Sequence, residues 1–185
     1  MKIALIIDSL RFGGAQKCSV DLYEALQKEG HDVCFITYRE HKQLKNADDV
    51  KNNTIYVPGL SKKYFLDYLD RFLGKIFGRT YGYIMSYFYT FWLKQRINLN
   101  SYDALLLVSD SGFFPFYKLN HKRLFYVAHS HKSSQYLFKW HTSFINRMLY
   151  KNIFKNKKII AITNEIKKDL IDEFDVQEKN ISSSL

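Results

Sequence analysis

Apolar positions along this chain switch between two periods, and the switches mark out its elements. Lys2 to Ile7 is a continuous apolar run with β-branched residues that stops at Asp8-Ser9, the pattern of a central strand covered on both faces. After Leu10 to Gly14, the apolar residues Val20, Leu22, Tyr23 and Leu26 share one helical stripe. Gly30 stands where a helix stops, so a helix is predicted over Ala15 to Glu29. Asp32 to Thr37 reads as a second strand, which completes a βαβ unit with a right-handed crossover. Polar residues dominate Arg39 to Asn53, predicting a surface loop, and Thr54 to Val57 is a short strand closed by Pro58-Gly59.

Two helices are predicted next, Ser61 to Gly78 and Tyr81 to Ile97. The second carries Tyr81, Tyr83, Tyr87, Phe88, Tyr89, Phe91 and Trp92, enough aromatic surface to cover more than one face. A strand over Asp103 to Ser109, a helical turn near Phe113 to Tyr117 and a strand over Arg123 to Ala128 follow. The chain then predicts a helix over Ser134 to Phe154, a strand over Lys158 to Ile162, and a helix over Asn164 to Phe174 capped by Thr163. A closing strand would be expected from Asn180 onward, but the sequence ends there in Ile181-Ser182-Ser183-Ser184-Leu185. Strands alternating with helices in this way predict an α/β fold: a Rossmann-like, doubly wound parallel sheet with helices on both faces. At 185 residues the chain suits one domain.

Composition narrows the picture. The chain holds 15 Phe and 14 Tyr, more aromatic surface than a small core needs, so part of it is expected to face a partner. The formal charge is +10, which favours phosphates, nucleic acid or an anionic membrane surface. No Asp or Glu occurs from Ser111 to Asn164, a basic stretch that reads most simply as a solvated face. Cys18 and Cys34 show neither metal spacing nor a CxxC pair and are expected to be buried, reduced thiols in a cytoplasmic protein. The apolar run at the amino terminus is too short for a signal peptide. Thr80 to Leu93, the longest uncharged apolar stretch, is shorter than the roughly 20 residues a bilayer demands.

Ligands of open parallel sheets bind beyond the carboxyl ends of the strands, which directs attention to four loops. In the first, DSLRFGGA, Gly13, Gly14 and Ala15 open a helix directly after a strand, so backbone N–H groups and the positive helix end face the crevice. The glycines equally suit a tight turn that lets the helix pack on the sheet. The loop lacks the GxGxxG spacing of a dinucleotide fold, and no Walker sequence GxxxxGK[ST] occurs. The second loop, His129-Ser130-His131-Lys132, follows another strand; its imidazoles and ammonium suit sugar hydroxyls or phosphate charge, while a metal lacks a third ligand at suitable spacing. Ser111, in Asp110-Ser111-Gly112, and Thr163, in Thr163-Asn164-Glu165, complete the set.

Taken together, KIALIIDSLRFGGAQKCSVDLYEALQKEGHDVCFIT resembles the opening of glycosyltransferase family 4, in which a strand, a GGA loop and a helix precede a G-H-[DE]-V strand. FYVAHSHKS is similar to the His-bearing strand end of capsule and exopolysaccharide members, and IIAITNEIKKDLIDEFDVQEKNI looks like a later segment of the same family. Thr163 stands where Ser is common, and Gln16 where many members carry Glu. The resemblance implies one half of a GT-B enzyme: retaining, metal-independent and cofactor-free transfer from a nucleotide diphosphate sugar to a glycan or lipid-linked acceptor in surface polysaccharide synthesis. By the same match His129 is the catalytic candidate beside the transferred sugar. Gly13, Gly14, Ala15, Ser111, His131, Lys132 and Thr163 are candidate substrate contacts.

The family's donor-binding signature belongs to a second domain that this sequence does not include. The expected layout is an acceptor-side domain over 1–181 and a truncated tail over 182–185, inactive alone, with a separate chain as one source of the other half. The basic, aromatic helices over Lys62 to Ile97 suit peripheral contact with an anionic membrane at its cytoplasmic face; their aromatics equally suit packing on the sheet to shield the core. No nucleic-acid-binding signature accompanies the basic stretch, so a nucleic-acid partner is not expected; a non-catalytic basic module for an anionic polymer or membrane surface is the competing reading.

Overall fold

The computed structural model describes residues 1–10, 14–38, 50, 52–57, 79–130 and 140–183, with backbone alone at 79–80, 110–111 and 140–146. Seven strands, all parallel to their neighbours, are β1 (Lys2–Ile7), β2 (Asp32–Thr37), β3 (Thr54–Tyr56), β4 (Ala104–Leu107), β5 (Leu124–Ala128), β6 (Lys158–Ala161) and β7 (Ile181–Ser183). They line up in the order β3-β2-β1-β4-β5-β6-β7, so the chain steps outward from β1 in one direction and then returns to its other side at β4. The described helices are α1 (Gly14–Lys28), α2 (Arg79–Ile84), α3 (Ser86–Arg96), α4 (Asp110–Phe113), α5 (Trp140–Phe154) and α6 (Asn164–Phe174).

Strand pleating sends alternate residues to opposite faces, and each face has its own core. Ile3, Leu5, Ile7, Val33, Phe35, Leu106 and Val108 point to the side that α1 covers, where the rings of Tyr23 and Phe35 stack with centroids 5.2 Å apart. The Tyr23 hydroxyl, fully enclosed, accepts from the side-chain amides of Gln27 and Asn53, each at 2.8 Å. Ala4, Ile6, Ile36, Leu105, Leu107, Tyr126 and Ile159 face the opposite side, which α3 to α6 cover with Leu93, Phe113, Tyr150, Phe154, Leu170 and Phe174. Phe154 meets the rings of Phe113, Tyr150 and Phe174 at 5.9, 5.4 and 6.1 Å, so it ties α4, α5 and α6 into one layer.

Local signals set the boundaries. α1 ends because Gly30 adopts φ 79°, with the N–H of His31 donating to Leu26 O at 3.1 Å and that of Gly30 to Gln27 O at 2.9 Å, a closure glycine makes without a Cβ penalty. The helix expected over Tyr81 to Ile97 is interrupted at Met85, leaving α2 and α3. Its start is pinned at Gly82, where a Cβ would come within 3.3 Å of Phe114 Cβ. β7 pairs with β6 and takes Ser182 and Ser183, assigned above to a tail, into the sheet, because they continue the register that Ile181 starts beside Ile159. The predicted helix over Ser61 to Gly78 lies outside the described residues. One expectation fails: Cys18 is exposed and Cys34 half-buried, because α1 turns Ser19 and Tyr23 inward and the residue before Ser19 is rotated about 100° away from that stripe. Both thiols are free, and burial pushes that of Cys34 up.

Candidate functional site

The reversal of strand order falls between β1 and β4, and a crevice at such a point is where open α/β sheets bind ligands. β1 delivers Asp8 and Ser9 to this edge, and β4 delivers Ser109. The paired register Ile6 with Leu107, continued two steps, sets Asp8 beside Ser109, and Leu107 with Tyr126, continued likewise, sets Ser109 beside Ala128 and thus next to His129. At about 4.8 Å per strand, Asp8 and His129 stand on the order of 10 Å apart, a span suited to a sugar ring and its neighbours.

α1 enters the same edge. Buried Ser19 donates its hydroxyl to Ala15 O at 2.7 Å and lies 3.4 Å from Val108 O, which fixes the first turns of α1 against the end of β4. Gly14 is the first residue of this helix, and no acidic side chain lies in its first turn, so the partial positive charge of the helix end is not offset there. A Cβ added at Gly14 would meet nothing within 4 Å, and Gly30 is the glycine with positive φ among the described residues. Neither backbone conformation nor packing on the sheet therefore demands glycine at 14. The space in front of it is open to a ligand.

Asp8 sharpens the picture and is a residue that the sequence reading passed over. Its Oδ1 is buried without a hydrogen-bond partner, at the mouth of the crevice. A buried carboxylate oxygen without a donor is costly in the free fold and is satisfied by a ligand hydroxyl or amide. The signal was in the sequence: a carboxylate directly ending an apolar central strand, five residues before the glycine pair.

His129 is half-buried directly after β5, with both ring nitrogens shielded from solvent, next to half-buried Ser130. Ala15 follows Gly14 in the first turn of α1. Ser111 lies in the backbone of α4 at the β4 end of the crevice. Thr163 is exposed and caps α6, accepting the N–H of Ile166 on its hydroxyl at 3.3 Å. Glu165 sits in the first turn of α6, so that helix end already has a cap and an acid, unlike the start of α1. Gly13, His131 and Lys132 lie outside the described residues. Among the described residues no group of three or more His, Cys, Asp or Glu is placed to hold a metal ion.

Comparison with known proteins identifies the family and the fold. The sequence pattern of Glycosyltransferase Family 4 matches residues 12–182. The chain is 32% identical over 128 residues to alpha-1,3/1,6-mannosyltransferase ALG2 of Candida glabrata, covering 68% of this chain and 26% of that protein. Its fold is similar to a glycosyltransferase from Rickettsia africae ESF-5, with TM-score 0.55, 16% identity and coverage of 98% of this chain and 42% of the other. It is likewise similar to Anabaena Alr3699/HepE, solved in complex with UDP-glucose, with TM-score 0.61, 14% identity and coverage of 99% and 43%. The chain thus spans about a quarter of the curated relative and under half of the solved structures it matches. With the GGA loop inside the matched span, this chain belongs to glycosyltransferase family 4 and has the Rossmann-like fold of GT-B glycosyltransferases.

Proposed function

We propose that this chain forms the acceptor-side half of a retaining, metal-independent glycosyltransferase. The enzyme would move a sugar from a nucleotide diphosphate sugar to a glycan or lipid-linked acceptor in the cytoplasm, in surface polysaccharide synthesis. The observation that carries the reading is the convergence at the β1/β4 reversal: a helix start free of acids, an unpartnered Asp8 oxygen and, one strand further, His129. Each has a role that its chemistry supports. The first-turn N–H groups of α1 donate to phosphate or hydroxyl oxygens, and the Asp8 carboxylate accepts a hydrogen bond from a sugar hydroxyl. The His129 imidazole donates to or accepts from the sugar being transferred.

The nucleotide would be gripped from across the cleft by a second domain, which closes the crevice, excludes water and stabilises the leaving diphosphate. The fold's similarity to a structure solved with UDP-glucose supports a nucleotide sugar as the donor. The test is transfer of labelled sugar from UDP- and GDP-sugars to polyprenyl-phosphate-linked acceptors. It compares the purified chain with a fusion that places the second domain of a family 4 relative after residue 183. The chain alone is expected to transfer nothing, and the fusion to transfer sugar with a rate that His129→Ala lowers about 100-fold or more, the scale of one lost general acid–base or electrostatic contact. Turnover by the chain alone, or full activity in the His129→Ala fusion, contradicts the reading.

A further inference from the structure

The α2–α3 segment carries large apolar side chains on two faces, one against the core and one turned outward. Ile84, Tyr87, Phe88 and Phe91 occupy positions i, i+3, i+4 and i+7 and are 65%, 66%, 42% and 63% exposed. The side turned to the protein carries Ser86, Thr90 and Leu93, all buried, together with Tyr83, Tyr89 and Trp92, which are partly buried against the core. A helix serving only this core would turn a polar face to water, so the outward apolar face is surplus to what the core needs. Four large apolar side chains aligned along two turns form a continuous outward stripe rather than scattered surface hydrophobics.

Charge says what the stripe fits. The sequence from Arg71 to Tyr102 contains no Asp or Glu. Lys94 and Arg96 are exposed at the end of α3, and the Lys118 ammonium lies 4.8 Å from the centroids of both Tyr87 and Tyr117. The stripe is therefore bordered by cations and by no acid of its own segment. Aromatic and aliphatic side chains on one helical face with Lys and Arg at its margins is the chemistry of a helix lying in the interface of an anionic bilayer. Nucleic acid would want cations interleaved with the aromatics, and Ile84 offers a base nothing to stack on. No helix among the described residues is long and apolar enough to cross a membrane, so the contact is one of lying on the surface.

We propose that the α2–α3 face, centred on Ile84, Tyr87, Phe88 and Phe91, docks this protein on an anionic lipid surface. The placement is productive. Gly82 packs against Phe114 and Pro115, just beyond α4, so the start of the stripe lies at the same sheet edge as the crevice between β1 and β4. This consequence, delivery of the crevice to a lipid-linked acceptor, rests on the function proposed above; docking itself does not, because it needs neither donor nor acceptor.

The experiment is flotation of the full chain with phosphatidylcholine vesicles, with and without phosphatidylglycerol, at low and high salt. Tyr87→Ser/Phe91→Ser and Lys94→Gln/Arg96→Gln/Lys118→Gln variants are run alongside, with thermal melts showing that they fold. Binding to the phosphatidylglycerol vesicles is expected, weakened about tenfold or more by either variant, with salt weakening the wild type more than the charge variant. Absence of wild-type binding at low salt overturns the proposal, as does undiminished binding by Tyr87→Ser/Phe91→Ser. Self-association in sedimentation velocity that this variant abolishes, without vesicle binding, also overturns it and assigns the face to a second copy. A chain that binds vesicles but shows no transfer in the fusion assay refutes the acceptor-side reading and leaves docking intact.

Discussion

Replacing Gly14 by alanine separates the demands of the fold from those of the ligand. Gly14 begins α1 without positive φ, and a methyl group there would find no heavy atom within 4 Å, so the native backbone accepts alanine without strain. Glycine to alanine at a compatible position stabilises by about 0.4 to 1 kcal/mol, chiefly by restricting the unfolded chain. For a domain of this size, that raises Tm by about 1 to 4 °C. The same methyl would stand in the open space through which a ligand oxygen approaches the first-turn N–H groups. Loss of one hydrogen bond to a charged oxygen costs about 1.5 to 3 kcal/mol, or roughly 10- to 150-fold in Kd. Thermal melts and calorimetric titration with a sugar diphosphate probe measure both quantities on one sample. The reasoning predicts a variant that is more stable and binds more weakly. A Gly14→Ala protein with lowered Tm, or with unchanged Kd, refutes it.

Other outcomes follow from the same structure. Phe154→Ala removes a fully buried ring that meets three others, and urea unfolding should show a loss of about 3 to 5 kcal/mol; a loss below about 1 kcal/mol would mean that the α4–α5–α6 layer is not held as described. Asp8→Asn keeps the shape and removes a charge whose buried oxygen has no donor, so stability should hold or rise while acceptor affinity falls about tenfold, or roughly 1.4 kcal/mol, by titration. Thr163→Ala should cost about 1 kcal/mol through the lost cap of α6, with Thr163→Ser restoring it in the same melts. The Lys167 ammonium, 2.7 Å from Glu178, holds that exposed carboxyl below its ordinary value of 4.5. Its small contribution is complete above that pH and is lost as pH falls through the lowered pKa, so Glu178→Gln should flatten the acid limb of a Tm-against-pH profile slightly.

Much of the fold was legible because buried parallel strands leave unbroken apolar runs. β1, β2 and β5 emerge from their β-branched and aromatic stretches within a residue of their ends, and α6 from its stripe and the Thr163 cap. The break at Met85 was hidden, because aromatic residues on every side of Tyr81 to Ile97 erase the periodicity that would locate it. The same crowding concealed which aromatics face outward. Cys18 departs from the usual burial of a thiol because the orientation of α1 is decided by the fit of Ser19 against the end of β4.

At the site, the GGA loop and the His129 position could be read from strand ends. Asp8 could not be weighted, since the lack of a partner for its oxygen depends on neighbours brought together from distant parts of the chain. Thr163 shows the opposite case. Its capping role is fully local, and its hydroxyl is already engaged by Ile166.

The central claim is that the edge where β1 and β4 diverge receives the acceptor. An amide NMR titration of the chain with a soluble sugar diphosphate acceptor analogue tests this most directly. The account predicts shift changes concentrated at Asp8, Ser9, Gly14, Ala15, Ser109 and His129. Changes confined to the opposite sheet edge, around Gly30, His31 and Asp103, would contradict it.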